Sequence, residues 1–264
     1  MNLTSVSQVR EWCMENGFHP NKVMGQNFLI DRNVLTAIVD AGLDGVEQGD
    51  VLEIGPGLGV MTEELLRRGR GVTAIEKDSV LAGRLLESLG NPDALSVIMG
   101  DALDVIRDNL PLQGFAAMVS NLPYQAGTRI LLDVLATRAI PSITVLVQSE
   151  VAERLAAGPG SKTRGLAGVW AQLDYDVKIV RKVSAQCFWP RPEIGSSVVK
   201  LVRHDRNIAF SAEERAVFRY LTKKAFEHRR KQLGSIFKDL IESKARAEEL
   251  SNEEWINLSK EIKK

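Results

Sequence analysis

The amino-acid sequence predicts an α/β protein with a doubly wound, mainly parallel sheet and a small helical domain at its C-terminal end. Three observations support this. Short apolar runs rich in β-branched residues alternate with segments of helical periodicity as far as residue 157. A turn with three glycines, 55–59, joins the first of these runs to a helical segment. Beyond Arg203 the periodicity is helical only.

The elements follow each other in a regular order. A helix is predicted over 6–17, and Asp31 is suited to cap a second helix over 33–40. Strands and helices then alternate, which is typical of βαβ units whose ligands bind at the carboxyl ends of the strands. The predicted strands are 51–54, 71–75, 95–99, 116–120 and 143–148, and the predicted helices are 60–68, 79–89, 128–135 and 150–157.

The sequence after residue 157 predicts the strands at one edge of the sheet and the boundary between the two domains. Residues 158–165 form a loop with two cations, which could contact phosphate or equally be a plain solvent loop. Two β-rich segments, 169–183 and 196–202, predict an antiparallel edge, and 188–192 between them predicts a stiff, exposed aromatic turn. Ser211 is suited to cap the helices that follow. We therefore expect two domains, 1–203 and 204–264.

Composition and charge exclude several classes of protein. The chain has 34 basic and 34 acidic side chains, no apolar run long enough to span a membrane, and only two cysteines. We expect a cytoplasmic protein without a metal site. From Lys200 to Leu240, however, there are 11 basic and 5 acidic residues, a local net charge of +6. Such a block predicts nucleic-acid binding, although a solvated helix face has a similar pattern.

The glycine turn predicts a ligand that lies against the backbone. Glycine tolerates positive φ, and the following helix directs its free N–H groups at the ligand. The third glycine comes one position early for a dinucleotide fingerprint, and Pro56 offers no N–H to a pyrophosphate. An adenosyl ligand without phosphates is therefore favoured over NAD. Glu76, Asp101 and Asn121 each follow a strand directly and should line the same crevice, with Glu76 holding ribose hydroxyls.

The tetrapeptide Asn121-Leu122-Pro123-Tyr124 suits methyl transfer to an exocyclic amine of adenine. This amine is a poor nucleophile, because its lone pair is delocalised into the ring, whereas a sulfonium donor has an excellent leaving group. The site needs acceptors that draw the amine hydrogens and localise the lone pair. The Asn121 side-chain oxygen and a backbone carbonyl beside Pro123 are such acceptors. Tyr124 can stack on an extruded base, and Phe188 could close the other face or be a buried plug.

The chain carries six motifs in a fixed order: 25–29, 53–59, 100–102, 121–124, 188–192 and 229–233. With these motifs it resembles the small-subunit ribosomal RNA adenine dimethyltransferases, the kasugamycin-sensitivity enzymes related to the erythromycin-resistance methyltransferases. The resemblance runs from about Lys22 to Leu233 and implies a Rossmann-like class I methyltransferase fold. It implies two adjacent adenines in the 3′-terminal hairpin loop of 16S rRNA as substrate, on an immature small subunit.

The resemblance implies S-adenosylmethionine as cofactor and assigns roles to the site residues. By the family pattern Glu76 holds the ribose, Asp101 accepts from the adenine amine, and Asn121 lies where donor and target amine meet. Gln26 and Asn27 would otherwise indicate turn chemistry only. The resemblance also implies that Asn27 and Leu29 contact the methionine and adenosine parts of the cofactor, and that Gly55 contacts its methionine moiety. Gly57, Lys77 and Ala102 would bind the cofactor beside these residues. A basic helix would contact rRNA phosphates through Lys223, Lys224, Arg229, Arg230 and Lys231.

Three other functions are compatible with parts of the sequence. A large-subunit adenine methyltransferase of the macrolide-resistance type shares the catalytic pattern but differs in its C-terminal part. A non-catalytic ribosome assembly factor could use the same fold, and an NAD-dependent oxidoreductase is the most distant alternative. The sequence has no obvious apolar seam on its helices, so we expect a monomer.

Overall fold

The computed structural model describes residues 3–21, 24–108, 110–238 and 240–262. Lys22 and Val23, where the family resemblance begins, lie outside the described residues. The chain forms two compact units. The first comprises residues 1–149 and 178–202, and the second comprises residues 150–177 and 203–264.

The first unit contains most of the strands. Its helices are α1 (Val6–Glu15), α2 (Arg32–Leu43), α3 (Val60–Arg67), α4 (Ser79–Ser88), α5 (Ala102–Arg107) and α6 (Gly127–Thr137). Its strands are β1 (Phe28–Leu29), β2 (Asp50–Ile54), β3 (Val72–Glu76), β4 (Leu95–Met99), β5 (Phe115–Asn121) and β6 (Ser142–Gln148), followed later in the chain by β8 (Phe188–Trp189) and β9 (Ser196–Arg203).

The second unit is mainly helical. Its helices are α7 (Ser149–Ala156), α8 (Leu166–Asp174), α9 (Ala212–Glu227), α10 (Leu233–Ile236) and α11 (Asn252–Ile262). The strand β7 (Tyr175–Val183) follows α8 and crosses from the second unit into the first. The side chains of this unit's core include Phe218, Leu233 and Trp255, all of them fully buried.

A seven-stranded sheet in the order β4-β3-β2-β5-β6-β9-β7 confirms the predicted α/β fold. Strands β2 to β6 run parallel to one another, and β9 runs antiparallel to β6, as the sequence predicted for this edge. From β2 the chain moves outward through β3 and β4, and it then returns to the other side of β2 with β5. The strand order therefore reverses between β2 and β5, and a doubly wound sheet binds its ligand at such a position.

Most predicted elements agree with the structure, but the β-rich segment predicted over 169–183 is wrong in its first half. Residues 166–174 form α8, and only Tyr175–Val183 is a strand. Val169 and Leu173 are four residues apart and both buried in the core of the second unit, which is helical spacing. The β-branched and aromatic residues of this segment had suggested a strand, but the burial of one helical face decided its conformation.

The compact units differ from the predicted division at residues 203 and 204. Residues 150–177 belong to the same compact unit as the C-terminal helices. One contact that joins them is formed by the Arg215 guanidinium, which donates two hydrogen bonds to the buried Asp174 carboxylate, at 2.6 and 2.9 Å. The expectation of a methyltransferase domain followed by an rRNA-binding domain concerns function and stays a prediction.

Candidate active site

A cavity of about 520 Å³ lies in the first unit at the carboxyl ends of β2, β3, β4 and β5. It is in the size range of small-molecule sites, about 300–1,000 Å³. With the exception of Phe188, every residue predicted to be catalytic or cofactor-binding lines it. These residues are Asn27, Leu29, Gly55, Gly57, Glu76, Lys77, Asp101, Ala102, Asn121, Leu122, Pro123 and Tyr124.

The glycine turn between β2 and α3 has the backbone conformation that the sequence predicted. Gly55, Gly57 and Gly59 have φ of +71°, +59° and +89°, a region that side-chain-bearing residues rarely adopt. A Cβ on Gly57 would come within 3.1 Å of the Phe28 ring, and one on Gly59 would come within 2.6 Å of Leu85 Cδ1. The turn therefore needs glycine both for its φ angles and for the close approach of its neighbours.

Glu76, at the end of β3, is fixed by the backbone around it. Its Oε2 accepts from the Gly57 N–H at 3.1 Å, and its Oε1 accepts from the Asp78 N–H at 2.9 Å. The residue is only 6% exposed, and this burial raises the pKa of its carboxyl, partly offset by these hydrogen bonds. The Lys77 N–H also acts on this carboxylate, which has about four acceptor positions in total, so acceptor capacity remains for a ligand. The carboxylate therefore connects the glycine turn to β3 and faces the cavity as a bidentate acceptor.

Asp101 lies after β4, where it caps α5. Its Oδ1 accepts from the Leu103 N–H at 2.9 Å, and its Oδ2 lies 2.8 Å from Lys77 Nζ. The Lys77 ammonium lowers the pKa of Asp101, so the carboxylate is ionised at neutral pH. Ala102 follows it at the first position of the helix. Asp101 is thus a charged acceptor at the edge of the cavity, held in place by the helix and by Lys77.

Asn121 ends β5 next to the glycine turn. Its Nδ2 donates to the Asn27 carbonyl oxygen at 3.2 Å, and the Asn27 side chain in turn donates to the Gly25 carbonyl oxygen at 3.0 Å. This bond assigns the orientation of the amide, because only the nitrogen can donate. None of the described residues donates to the Asn121 Oδ1. The side chain therefore presents an acceptor oxygen at the cavity wall.

The rest of the tetrapeptide is held rigidly. The Leu122 N–H donates to the Leu146 carbonyl at 3.2 Å, and the Gly127 N–H donates to the Pro123 carbonyl at 2.7 Å. The Tyr124 hydroxyl lies 2.7 Å from Oγ of Ser196, a fully buried residue of β9. Burial raises the pKa of the Tyr124 hydroxyl, so it is neutral at physiological pH. The hydroxyl end of the tyrosine ring is consequently held by β9.

Phe188 does not line the cavity, and the prediction of an exposed aromatic turn is wrong. Phe188 and Trp189 form β8, which pairs antiparallel with β1, so that Phe188 is opposite Leu29. Phe188 is 2% exposed and packs in the core of the first unit, in agreement with the alternative of a buried plug. Pairing with a strand far away in the sequence buries this ring, and local sequence patterns do not reveal such pairing.

Two polar residues of the cavity wall were not among the predicted catalytic or cofactor-binding residues. Glu53 is 1% exposed within β2 and accepts from the Thr62 hydroxyl at 2.7 Å, and its burial raises its pKa to about 8. The sequence feature that could have identified Glu53 is an acidic residue within an otherwise apolar, buried strand. Gln26 accepts from the Asn21 N–H at 2.7 Å and donates to the Asp78 carboxylate at 2.9 Å. Gln26 therefore does take part in turn chemistry, and it also connects this loop to the start of α4.

The predicted RNA-binding cations lie in the second unit, but they do not share one helix. Helix α9 ends at Glu227, so residues 229–231 belong to the turn before α10. Lys223, Arg230 and Lys231 are exposed. Arg229, in contrast, donates to the Lys162 carbonyl at 2.6 Å and lies 3.5 Å from the Glu248 carboxylate.

The loop 158–165 is not a plain solvent loop with two cations. Arg164 is 1% exposed and donates to the Ala157 carbonyl at 3.0 Å and to Asn252 Oδ1 at 2.9 Å. Its guanidinium therefore connects the loop to α11 and is not available to phosphate.

Comparison with known proteins gives one family. A family model described as ribosomal RNA adenine dimethylase matches residues 17–264. A protein of Clostridium perfringens named ribosomal RNA small subunit methyltransferase A is 35% identical, over 100% of this chain and 99% of its own length. Proteins of the same name from Deinococcus radiodurans and Opitutus terrae are 46% and 37% identical, over 75% and 88% of this chain and 67% and 83% of their own lengths.

Solved structures support the same fold. A dimethyladenosine transferase from Plasmodium falciparum has a TM-score of 0.74 at 23% identity, covering 87% of this chain and 95% of its own. The 23S rRNA methyltransferase ErmE has a TM-score of 0.68 at 24% identity, covering 90% of this chain and 100% of its own. At these identities the likeness concerns the class I methyltransferase fold. None of the helices in the described part of the chain combines the length and the apolar composition of a membrane span.

Proposed function

The chain belongs to the ribosomal RNA adenine dimethylase family, and we propose that it transfers methyl groups from S-adenosylmethionine to N6 of two adjacent adenines in the 3′-terminal hairpin loop of 16S rRNA. We propose an immature small ribosomal subunit in the cytoplasm as its substrate particle and a monomer as its active form. The names of relatives that are 35–46% identical support the small-subunit assignment. One observation carries the proposal: the Asn121 amide, oriented by Asn27, lies beside the glycine turn.

The residues of the cavity fit S-adenosylmethionine. The backbone of the glycine turn offers a surface without side chains, and the Glu76 carboxylate offers two acceptors to a ribose diol. Asp101, which is ionised, would accept from the adenine amine, and Asn27, Leu29, Gly55 and Gly57 would contact the rest of the molecule. When bound, this cofactor supplies a methyl group on a positively charged sulfur that leaves as a neutral thioether.

The protein's own residues then orient the target amine and localise its lone pair. The Asn121 Oδ1 and a backbone carbonyl beside Pro123 accept its two hydrogens, so that the lone pair points along the line of attack. The fixed ring of Tyr124 stacks on the extruded base. A strong base is not needed, because the amine nitrogen becomes acidic as it acquires the methyl group and can pass its proton to water. The second transfer acts on a monomethylated amine, which keeps a single N–H, so only one of the two acceptors holds it while the lone pair attacks the next methyl group.

The proposal is tested by incubating the protein with S-adenosylmethionine labelled in its methyl group and with small subunits from a strain that lacks these methyl groups. We expect label on N6 of two adjacent adenines near the 3′ end of 16S rRNA. Label on 23S rRNA in a parallel incubation with large subunits, and none on 16S rRNA, would contradict the small-subunit assignment. No label on either would leave the non-catalytic assembly factor as the better account. Light scattering of the active fraction checks the monomer.

A further inference from the structure

One large aromatic side chain of the second unit is directed away from its core. Tyr220 on α9 is 59% exposed, whereas Phe218 and Leu221 on either side of it are buried. The exposed face of this helix carries Ala216, Tyr220 and Lys223, which follow each other at helical spacing. The small side chain of Ala216, one turn before Tyr220, leaves room beside the ring.

The ring is held by a neighbouring cation. Lys224 Nζ lies 3.2 Å from the Tyr220 hydroxyl and 5.6 Å from the centroid of the ring. The same ammonium lies 5.6 Å from the ring of Phe237, which is buried. Lys224 therefore connects the exposed ring to a core residue and restricts its motion. A ring fixed before binding loses less conformational entropy when a ligand stacks on it.

Exposed cations follow Tyr220 along the chain. Lys223 lies three residues further on the same helix, and Arg230 and Lys231 lie in the turn after it, beyond the exposed acid Glu227. None of the described residues forms an ion pair with these three cations, whereas Arg206 of the same unit lies 2.5 Å from the Asp176 carboxylate. An exposed ring and unpaired cations on one stretch of chain match a polyanion whose bases are accessible.

We propose that Tyr220, positioned by Lys224, is a stacking platform for an unpaired base of ribosomal RNA, while Lys223, Arg230 and Lys231 contact the adjoining phosphates. This inference rests on the proposed function, which provides the RNA. Proteins read RNA mostly where its bases are unstacked, and an aromatic face accepts any of the four bases. A side chain that only contributed to a solvated helix face would not need an aromatic ring held by a cation.

The test measures binding of the full chain to undermethylated small subunits over a series of salt concentrations. Tyr220→Ala should weaken binding about 30-fold, the middle of the range for loss of one stacked base, without changing the slope of log K against log salt. Tyr220→Phe should bind like the unchanged protein, because it keeps the ring. Lys223→Gln should instead reduce the slope by about 1. Ile208→Ala, which truncates another exposed apolar residue of this unit (68% exposed), is the matched control and should have no effect.

The outcomes separate this inference from the proposed function. If Tyr220→Phe binds as weakly as Tyr220→Ala, the hydroxyl contact with Lys224 matters and the stacking proposal is overturned. Equal binding by Tyr220→Ala and the unchanged protein overturns it as well. A photocrosslinking amino acid at position 220 should attach to 16S rRNA, and attachment only to a ribosomal protein would contradict the choice of partner. If instead the unchanged protein neither bound nor methylated the subunits, the proposed function itself would fail.

Discussion

At the scale of single residues, the proposed chemistry depends on which way one amide faces. The bond from Asn121 Nδ2 to the Asn27 carbonyl joins residues 94 positions apart in the sequence. It leaves the oxygen of the side chain as the acceptor that a target amine needs. The sequence predicted that this residue lies at the cavity, and its catalytic role stays a prediction. The bond to Asn27 was not predictable, because the partner is a backbone atom of a distant loop.

Asn121→Ala should reduce the rate of transfer by about 100-fold or more, the usual effect of removing one positioned acceptor or donor of a transition state. Affinity for S-adenosylmethionine should stay close to that of the unchanged protein, because the glycine turn and Glu76 are untouched. Single-turnover kinetics and calorimetric titration measure the two quantities. Near-normal turnover would remove Asn121 from the mechanism.

Asn121→Asp is the matched variant for the orientation of this side chain. It keeps an acceptor oxygen but loses the N–H that donates to Asn27. Turnover should therefore also fall, since a carboxylate is repelled by the Asn27 carbonyl oxygen. If Asn121→Asp were fully active, the bond to Asn27 would not be what positions the acceptor.

Glu53 should make stability depend on pH. Burial raises its pKa from 4.5 to about 8, so between these values the folded chain keeps a proton that the unfolded chain has lost. Stability should therefore fall as pH rises through this window, by at most about 1.4 kcal/mol per pH unit. Glu53→Gln, which keeps the shape of the neutral acid, should remove the part of this slope that Glu53 contributes and leave the smaller part from Glu76, whose pKa burial also raises.

Denaturant unfolding of the cofactor-free protein measures this effect at several pH values between about 5 and 8, which lie between the two pKa values of Glu53. Glu47→Gln, which changes an exposed carboxylate before β2, is the control and should keep the slope. A slope that Glu53→Gln leaves unchanged would show that the buried carboxyl is not responsible.

At the scale of elements, local signals determined what the sequence could predict. Glycines, caps and periodicity placed β2, α3 and β3 within a residue or two, and Asp31 caps α2 as expected, accepting from the Val34 N–H at 2.9 Å. Predictions were wrong where tertiary contacts decide the conformation: α8 is a helix because one face is buried, and Phe188 is buried because β8 pairs with β1. The cavity residues were predictable because parallel strands present their carboxyl ends at one edge.

The glycine turn offers a test of why this element needs its sequence. Gly59→Ala forces a positive φ on a residue with a Cβ and also brings that Cβ within 2.6 Å of Leu85, which is buried. Gly69→Ala forces a similar φ, +74°, but its Cβ has nothing within 4 Å. Gly69→Ala should therefore cost about 1 kcal/mol of unfolding free energy, and Gly59→Ala clearly more.

Thermal and denaturant unfolding of the two variants give this difference. Gly59→Ala should in addition weaken the binding of S-adenosylmethionine, because it moves the start of α3, whereas Gly69→Ala should not. Equal loss of stability in the two variants would mean that the packing of Leu85 against the turn contributes nothing.

At the scale of the whole molecule, a chain of zero net charge carries an uneven distribution of charge. The sequence revealed the basic block of 200–240, and the structure divides it. Lys200 forms an ion pair with Asp44, and Arg215 forms one with Asp174. Lys223, Arg230 and Lys231, in contrast, are exposed. Cations that are paired inside the protein release no counterions when RNA binds, so they should not contribute to the dependence on salt.

Replacing Lys223, Arg230 and Lys231 together by glutamine should reduce the salt slope of binding to undermethylated small subunits by about 2–3. Binding of S-adenosylmethionine should be unaffected, because the cavity lies entirely in the first unit. Arg206→Gln, which removes a cation paired with Asp176, is the matched control. A larger effect of Arg206→Gln than of the triple variant would contradict this division of the block.

The central claim is that a methyl donor lies over the glycine turn with its reactive end at the Asn121 corner. A crystal structure of the protein with S-adenosylmethionine tests it most directly. We expect the ribose hydroxyls on the Glu76 carboxylate, the adenine amine at Asp101, and the methyl group directed toward Asn121 and Tyr124. A donor bound elsewhere, or with its methyl group directed away from Asn121, would contradict the account.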